Sequence, residues 1–204
     1  MANRRQVIQG SAVVSLAAAA GVLSVTAPGS SAAVPSAPPG AAMCFYKVLF
    51  ERTAAAGRLF GAEAARSGAA GHPIEGNVTA ICRDELLPLW QHTPAAVAGL
   101  TEYHNLFVLD LMAHSAGLRT VYIGYHEPSG AGNWSHRLFG PRTLATAHLD
   151  ASEAHWARQA AALLMSLPAA LAVDPQHSNV LDARLHSVPQ RALVSWVIAP
   201  RRLA

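Results

Sequence analysis

The sequence predicts an α/β protein built on a small, open, mostly parallel sheet of four or five strands with helices on both faces. Three observations carry this. Short apolar strand-like runs and amphipathic helix-like runs alternate as β-α-β-α-β-α-β between residues 45 and 126, the order that builds a sheet covered on both sides. The charged fraction is 13% and hydrophobic residues make up 51% of the chain, a globular balance and not a disordered one. The stretch after residue 32 is also long enough for one domain with a real core.

The elements follow in chain order. FYKVLF at 45–50 is apolar and aromatic and reads as a strand. Thr53 then opens a helix, AAAGRLFGAEAARSG, with Gly68 near its end. Gly57 and Gly61 lie four apart on one face of it. Each costs helix propensity by roughly 1 kcal/mol against Ala, which close approach of this helix to the sheet explains better than flexibility does. GHPIEG at 71–76 is a weak strand, and VTAICRDELLPLWQ at 78–91 is a helix capped by Asn77 and bent or ended by Pro88. AAVAGL at 95–100 is a short buried strand. Thr101 is placed to cap the next helix, EYHNLFVLDLMAHSA, with Gly117 just past its end. LRTVYIGYH at 118–126 is the clearest strand, rich in β-branched and aromatic residues. Residues 127–142 form a Gly/Pro-rich loop or hairpin region. Asp150 and Glu153 give a D-x-x-E cap signal for a helix running to Leu167, before Pro168. ALVSWVIAP at 192–200 is a last strand whose direction the pattern leaves open.

The amino terminus has a different character. Arg4 and Arg5 precede an apolar run from about Ser11 to Ala27, and small residues Ser30 to Ala33 offer a cleavage site. The stretch NRRQVIQ keeps an arginine pair, with Asn3, Val7, Ile8 and Gln9 at softer positions. It resembles a twin-arginine (Tat) signal. That resemblance implies passage through the twin-arginine translocation machinery as an already folded protein. Clients of that route are often cofactor enzymes or subunits that travel with one. The expected organisation is a Tat-type signal over 1–32, a flexible linker over 33–43 and one α/β domain over 44–204. Within that domain, 44–126 form the core, and 127–204 supply the loop, helix and terminal strand. The apolar run is Ala- and Gly-rich and too short for the ~20 strongly apolar residues a spanning helix needs, so no stable membrane anchor is expected after cleavage.

Of the 15 Lys plus Arg, only Arg4 and Arg5 lie before residue 33, which leaves 13 basic against 12 acidic residues. That near balance gives no electrostatic case for nucleic acid. Cys44 and Cys82 could pair in an oxidising compartment or remain free thiols.

The chemical candidates are few. A-H-S-A-G at 113–117 is similar to the G-x-S-x-G nucleophile motif around Ser115, and Asp174 with His177 or His186 follow in the Ser, Asp, His order of α/β-hydrolases. An elbow needs a strand before the Ser and a helix after it; the order here is reversed, so a helix end at Gly117 answers the motif better. His114 then suits a helix carboxyl terminus, with Asp110 four residues earlier as its partner. Ten histidines all lie beyond residue 32, yet there is no H-E-x-x-H, H-x-H or C-x-x-C, so no metal site is expected from spacing. No nucleotide fingerprint follows the first strand, and the sequence names no cofactor.

A Rossmann-like or flavodoxin-like sheet binds ligands beyond the carboxyl ends of its strands. That rule nominates Arg52, Thr101, His126 and Glu127, with Trp134 of the neighbouring loop as a contact residue over one crevice. The leading expectation is an exported soluble module, accessory or ligand-binding, that works with another exported protein, of redox type or otherwise. The alternative is a small exported enzyme, metal-assisted through His126 and Glu127 or a serine hydrolase through Ser115. Whether it is an enzyme at all is left open by the residues.

Overall fold

The computed structural model describes residues 41–141, 144, 147–169 and 192–200. It contains β1 (Phe45–Glu51), α1 (Ala55–Arg66), β2 (Gly71–Ile74), α2 (Thr79–Ile81), a π turn (Cys82–Leu86), α3 (Leu87–His92), β3 (Ala96–Glu102), α4 (Tyr103–Ser115), β4 (Leu118–Gly130), β5 (Asn133–Phe139), α5 (Glu153–Met165) and β6 (Leu193–Pro200). Residues 1–40, which hold the expected signal and most of the expected linker, lie outside the described residues. Ala41 to Met43, expected as flexible linker, instead form a β-bridge at Ala42–Pro168, with the Met43 N–H donating to the Leu167 carbonyl at 2.6 Å and the Ala169 N–H to the Ala41 carbonyl at 2.7 Å.

The chain is an α/β protein, and its described residues form one six-stranded mixed sheet in the order β2-β1-β3-β6-β4-β5. Parallel pairing is confined to β1 with β2 and β1 with β3. β6 runs antiparallel to both β3 and β4, and β5 is antiparallel to β4. The expected four- or five-stranded, mostly parallel sheet is therefore corrected. The chain returns to place β6 between β3 and β4, and the sheet shares only its β2-β1-β3 start with the flavodoxin-like order. Because β3 and β4 both oppose β6, the first four strands still point the same way, with their carboxyl ends at one end of the sheet.

Helices cover both faces, each over its own core. On one face α1 and α5 bury Ala56, Phe60, Trp156, Ala160 and Leu164 against Val48, Leu100, Tyr122 and Val197. On the other, the α2–α3 run and α4 bury Cys82, Trp90, Leu106 and Leu109 against Leu49, Ile123, Tyr125 and Trp196. The glycine pair of α1 does what its spacing suggests. A Cβ on Gly57 would lie 2.0 Å from the Glu51 carbonyl oxygen, and one on Gly61 would lie 2.6 Å from the Phe50 ring. Pro88 does not end its helix. It has no N–H to return to the carbonyl four residues back, and the wider π turn just before it absorbs the mismatch while the helix runs on to His92.

Two local features of β4 decide which of its side chains reach which face. Its register against β6 shifts between Thr120 and Tyr122, so Val121 is an inserted residue and the in–out alternation reverses there. Thr120 faces α4, where its hydroxyl donates to Asp110 Oδ1 at 2.6 Å; past the insertion, Tyr122, Gly124 and His126 face α5. The second feature is the turn at the end of the strand. Gly130 pairs with Asn133 around Ala131 and Gly132, whose φ values are 49° and 77°. Two positive φ angles make a type I′ hairpin. Residues 127–139 are thus two paired strands, the hairpin of the two expected alternatives, and they extend the sheet and do not cover a crevice.

The helix starts also differ from expectation. Thr53 does not cap α1, because its hydroxyl goes to Glu51 Oε1 at 2.8 Å. Thr101 is a buried β3 residue, not a cap. Asp150 Oδ1 accepts the Ser152 N–H at 2.8 Å, ahead of a helix that starts at Glu153.

Candidate functional site

The residues nominated at the strand ends share one end of the sheet but no common site. Arg52, beyond β1, forms an exposed ion pair with Glu75. Thr101 lies on the α4 face, where its hydroxyl accepts the Trp196 Nε1–H at 3.0 Å and donates to the Glu102 carbonyl at 3.1 Å. Glu127 also lies on that face and pairs with Arg137, whose guanidinium sits 5.6 Å over the Tyr125 ring. His126 and Trp134 lie on the opposite, α5 face. Strand alternation separates His126 from Glu127 across the sheet, so the two cannot hold one ion. Glu51, at the same end, is buried and accepts from Thr53 Oγ1 at 2.8 Å and the Gly76 N–H at 2.9 Å.

Ser115 ends α4 as an exposed residue whose hydroxyl donates to the Met112 carbonyl at 2.7 Å. Gly117 follows with φ of 78°, and β4 begins at Leu118. This is helix-then-strand, the reverse of a nucleophile elbow, so the A-H-S-A-G motif is a helix end. Asp174, His177 and His186 lie outside the described residues. Asp110, expected to pair with His114, takes the Thr120 hydroxyl instead. Cys44 and Cys82 are both free thiols, Cys44 exposed and Cys82 buried. Burial pushes the Cys82 thiol up to about 11.

The polar centre of the molecule lies around His126, beneath α5. His126 Nε2 is 2.7 Å from Ser195 Oγ, and His126 Nδ1 is 2.8 Å from His136 Nδ1. His136 Nε2 is 2.9 Å from the Asp150 carbonyl oxygen, and Tyr122 Oη is 3.2 Å from Ser195 Oγ. These contacts settle one another's protons. A carbonyl only accepts, so His136 Nε2 carries hydrogen and its Nδ1, in the neutral ring, accepts. His126 Nδ1 then donates and its Nε2 accepts from the Ser195 hydroxyl. Ser195 Oγ is left to accept from Tyr122. The result is one directed chain, Tyr122 to Ser195 to His126 to His136 to the Asp150 carbonyl, in which every ring is neutral.

The surroundings favour that neutral state. The His126 ring lies stacked on Trp156 at 4.3 Å, and Trp134 packs against the same indole at 5.1 Å. Burial, followed by repulsion from His136, holds His126 well below its ordinary pKa. Burial also lowers His136, against an opposing pull from its bond to Asp150 and from the Asp150 charge. Burial pushes the Tyr122 hydroxyl up to about 12. Gly124 keeps the space clear: a Cβ there would lie 2.6 Å from Ser195 Oγ and 2.7 Å from Tyr122 Oη. A cation held by the two facing Nδ1 atoms at a tetrahedral angle would need them about 3.3 Å apart at ordinary metal–nitrogen bond lengths, so their 2.8 Å separation is that of a hydrogen bond. Among the described residues, no group of three or more His, Cys, Asp or Glu side chains could hold a metal ion.

Sequence reasoning reached His126 but missed Ser195, Tyr122 and Trp156. The one signal for Ser195 was a hydroxyl in the middle of the apolar run LVSWVI. Fold and site together define a mixed-sheet α/β protein with a closed polar centre whose hydrogen bonds run within the protein itself. No family model, no curated protein and no solved structure matches the chain.

Proposed function

We propose that the chain is an exported, non-catalytic module that docks through the outer face of α4 onto a protein leaving the cytoplasm with it. One observation carries the docking. α4 is apolar around most of its circumference, and its outer side leaves Phe107 50% and Leu111 67% exposed, one turn apart. A scattered exposed Leu is ordinary, but a helix apolar on all sides normally has both sides covered. The inner side already packs Leu106, Leu109 and Ala113 on the sheet. The nominated polar strand-end groups are each engaged with another residue of the chain, Arg52 with Glu75, Thr101 with Trp196, Glu127 with Arg137 and His126 with Ser195 and His136, which favours binding over catalysis. The signal-like amino terminus supports export, and its Tat resemblance supplies the occupant: a partner folded and carried along in the same passage. Among the described residues no helix is long and apolar enough to cross a membrane.

The docking is tested by placing a photo-crosslinking side chain at position 111 in the native host, with a second at Arg66 on α1 as control. The expected result is a crosslink to one exported protein from position 111, lost on adding Phe107→Ser and absent from position 66. A crosslink only to a second copy of this chain, or none, would overturn the reading.

The export is tested separately. Replacing Arg4 and Arg5 by Lys is expected to leave the precursor in the cytoplasm, by fractionation and immunoblotting. Unchanged export would assign the general secretory route.

A second reading has its own observation. Ser195, His126 and His136 have the order of a nucleophile, its base and the group that orients the base. Labelling of Ser195 by a fluorophosphonate in the folded protein would favour it. Both Ser195 and His126 are fully covered, which places this reading second.

A further inference from the structure

We propose that the facing His126 and His136 imidazoles form an acid-sensitive latch holding the β4–β5 hairpin to the start of α5. The latch sits where several ties cross. The Trp134 N–H donates to the Ala151 carbonyl at 2.8 Å, Asn133 forms a β-bridge with Ser152, and His136 Nε2 donates to the Asp150 carbonyl. Trp156, on the first turn of α5, lies over both imidazoles. Undoing the histidine pair removes the polar link between β4 and β5 on this face and the floor on which Trp156 rests.

The proton count makes the latch sensitive. With both rings neutral, all four ring nitrogens are satisfied. One added proton can enter at half-buried His136, but only by turning the chain around. His136 Nδ1 would then donate to His126 Nδ1, His126 Nε2 to Ser195, and Ser195 to Tyr122. The buried Tyr122 hydroxyl loses its acceptor in that arrangement, and the imidazolium is partly withdrawn from water. A second proton admits no arrangement, because two N–H groups would meet at 2.8 Å.

The charged and titratable groups around the pair do not change this. Tyr122 faces it from β4, Ser195 from β6 and Trp156 from α5. Asp150 and His155 flank it at the start of α5, joined to each other at 3.4 Å. Glu127 and Arg137 face the other side of the sheet and neutralise each other. Asp150, held below the usual carboxylate range chiefly by the Ser152 N–H, offers His136 some support but is exposed and shared with His155.

The sign follows from linkage. Both histidines are held below their ordinary value of 6.5 in the folded chain, so the unfolded or opened chain takes up protons first. The stability this contributes is present above pH 6.5 and is lost as pH falls towards the folded values.

The test measures exchange of the Trp134 amide proton from pH 7 to pH 5, corrected for the intrinsic rate, in wild type and His136→Gln. A Gln amide can accept from His126 and donate to the Asp150 carbonyl without taking a proton. Opening is expected to rise about tenfold or more in wild type over this range and to rise less in the variant, by the share of His126 alone. An equal rise in both, or none in wild type, overturns the proposal. Imidazole nitrogen shifts in wild type keep it testable if the variant fails to fold. At pH 7 they should show a neutral pair, protonated at Nδ1 in His126 and at Nε2 in His136, and titration of both rings near pH 6.5 overturns it.

Discussion

Gly57→Ala is expected to cost the fold about 3 kcal/mol or more, at the upper end of what overpacking does. The sign is the informative part. In an exposed helix interior the same change stabilises by up to about 1 kcal/mol, because Ala is the better helix former. Here the new methyl would fall 2.0 Å from the Glu51 carbonyl oxygen, with Glu51 backbone atoms behind it at 2.9 and 3.2 Å. A strand backbone flanked by β2 and β3 cannot step aside, so α1 must lift from the sheet. Gly61→Ala is the internal comparison, since its methyl meets the Phe50 side chain, which can turn. Urea denaturation of both variants checks the pair. A Gly57→Ala loss no greater than that of Gly61→Ala would show that α1 is not seated directly on the β1 backbone.

Trp156→Ala is the second large effect. The side chain is fully buried between His126, His136 and Trp134, and truncating a buried Trp costs about 3–5 kcal/mol. Against a total stability of about 5–15 kcal/mol, the variant is expected to unfold at a clearly lower urea midpoint, read by circular dichroism. Trp134→Ala, on the edge strand and only partly buried, should lose clearly less. Equal losses would mean that the centre of this cluster is Trp134 and that the His126–Trp156 stack contributes little.

Much of the fold was legible because it is written in local pattern. The alternation of apolar strands and helices placed β1 to β4, the glycines of α1 announced a close helix–sheet contact, and Gly117 marked the end of α4. The parts that failed depend on distant pairing. An apolar run such as LVSWVI has no local mark of direction or neighbours, so the insertion of β6 between β3 and β4 left no trace in composition. The site failed for a related reason. Period-two alternation predicts which side His126 faces only if the register is unbroken, and Val121 breaks it by one residue. Thr53 and Thr101 looked like caps, but their hydroxyls are consumed by Glu51 and Trp196, partners 2 and 95 residues away. Ser195, His126 and His136 meet only through pairing of β6 with β4 and of β4 with β5.

The place of β6 also bears on assembly. It is the last of the described strands along the chain and sits inside the sheet, with β3 on one side and β4 on the other. Until residues 193–200 arrive, the earlier strands make two separate ribbons, β2-β1-β3 and β4-β5, each with an open edge that invites pairing with another chain. Contacts this distant along the sequence form slowly, and the half-built state is the one exposed to aggregation. A transporter that threads polypeptide amino end first would deliver both ribbons before the strand that joins them. One that accepts only finished molecules never meets that intermediate.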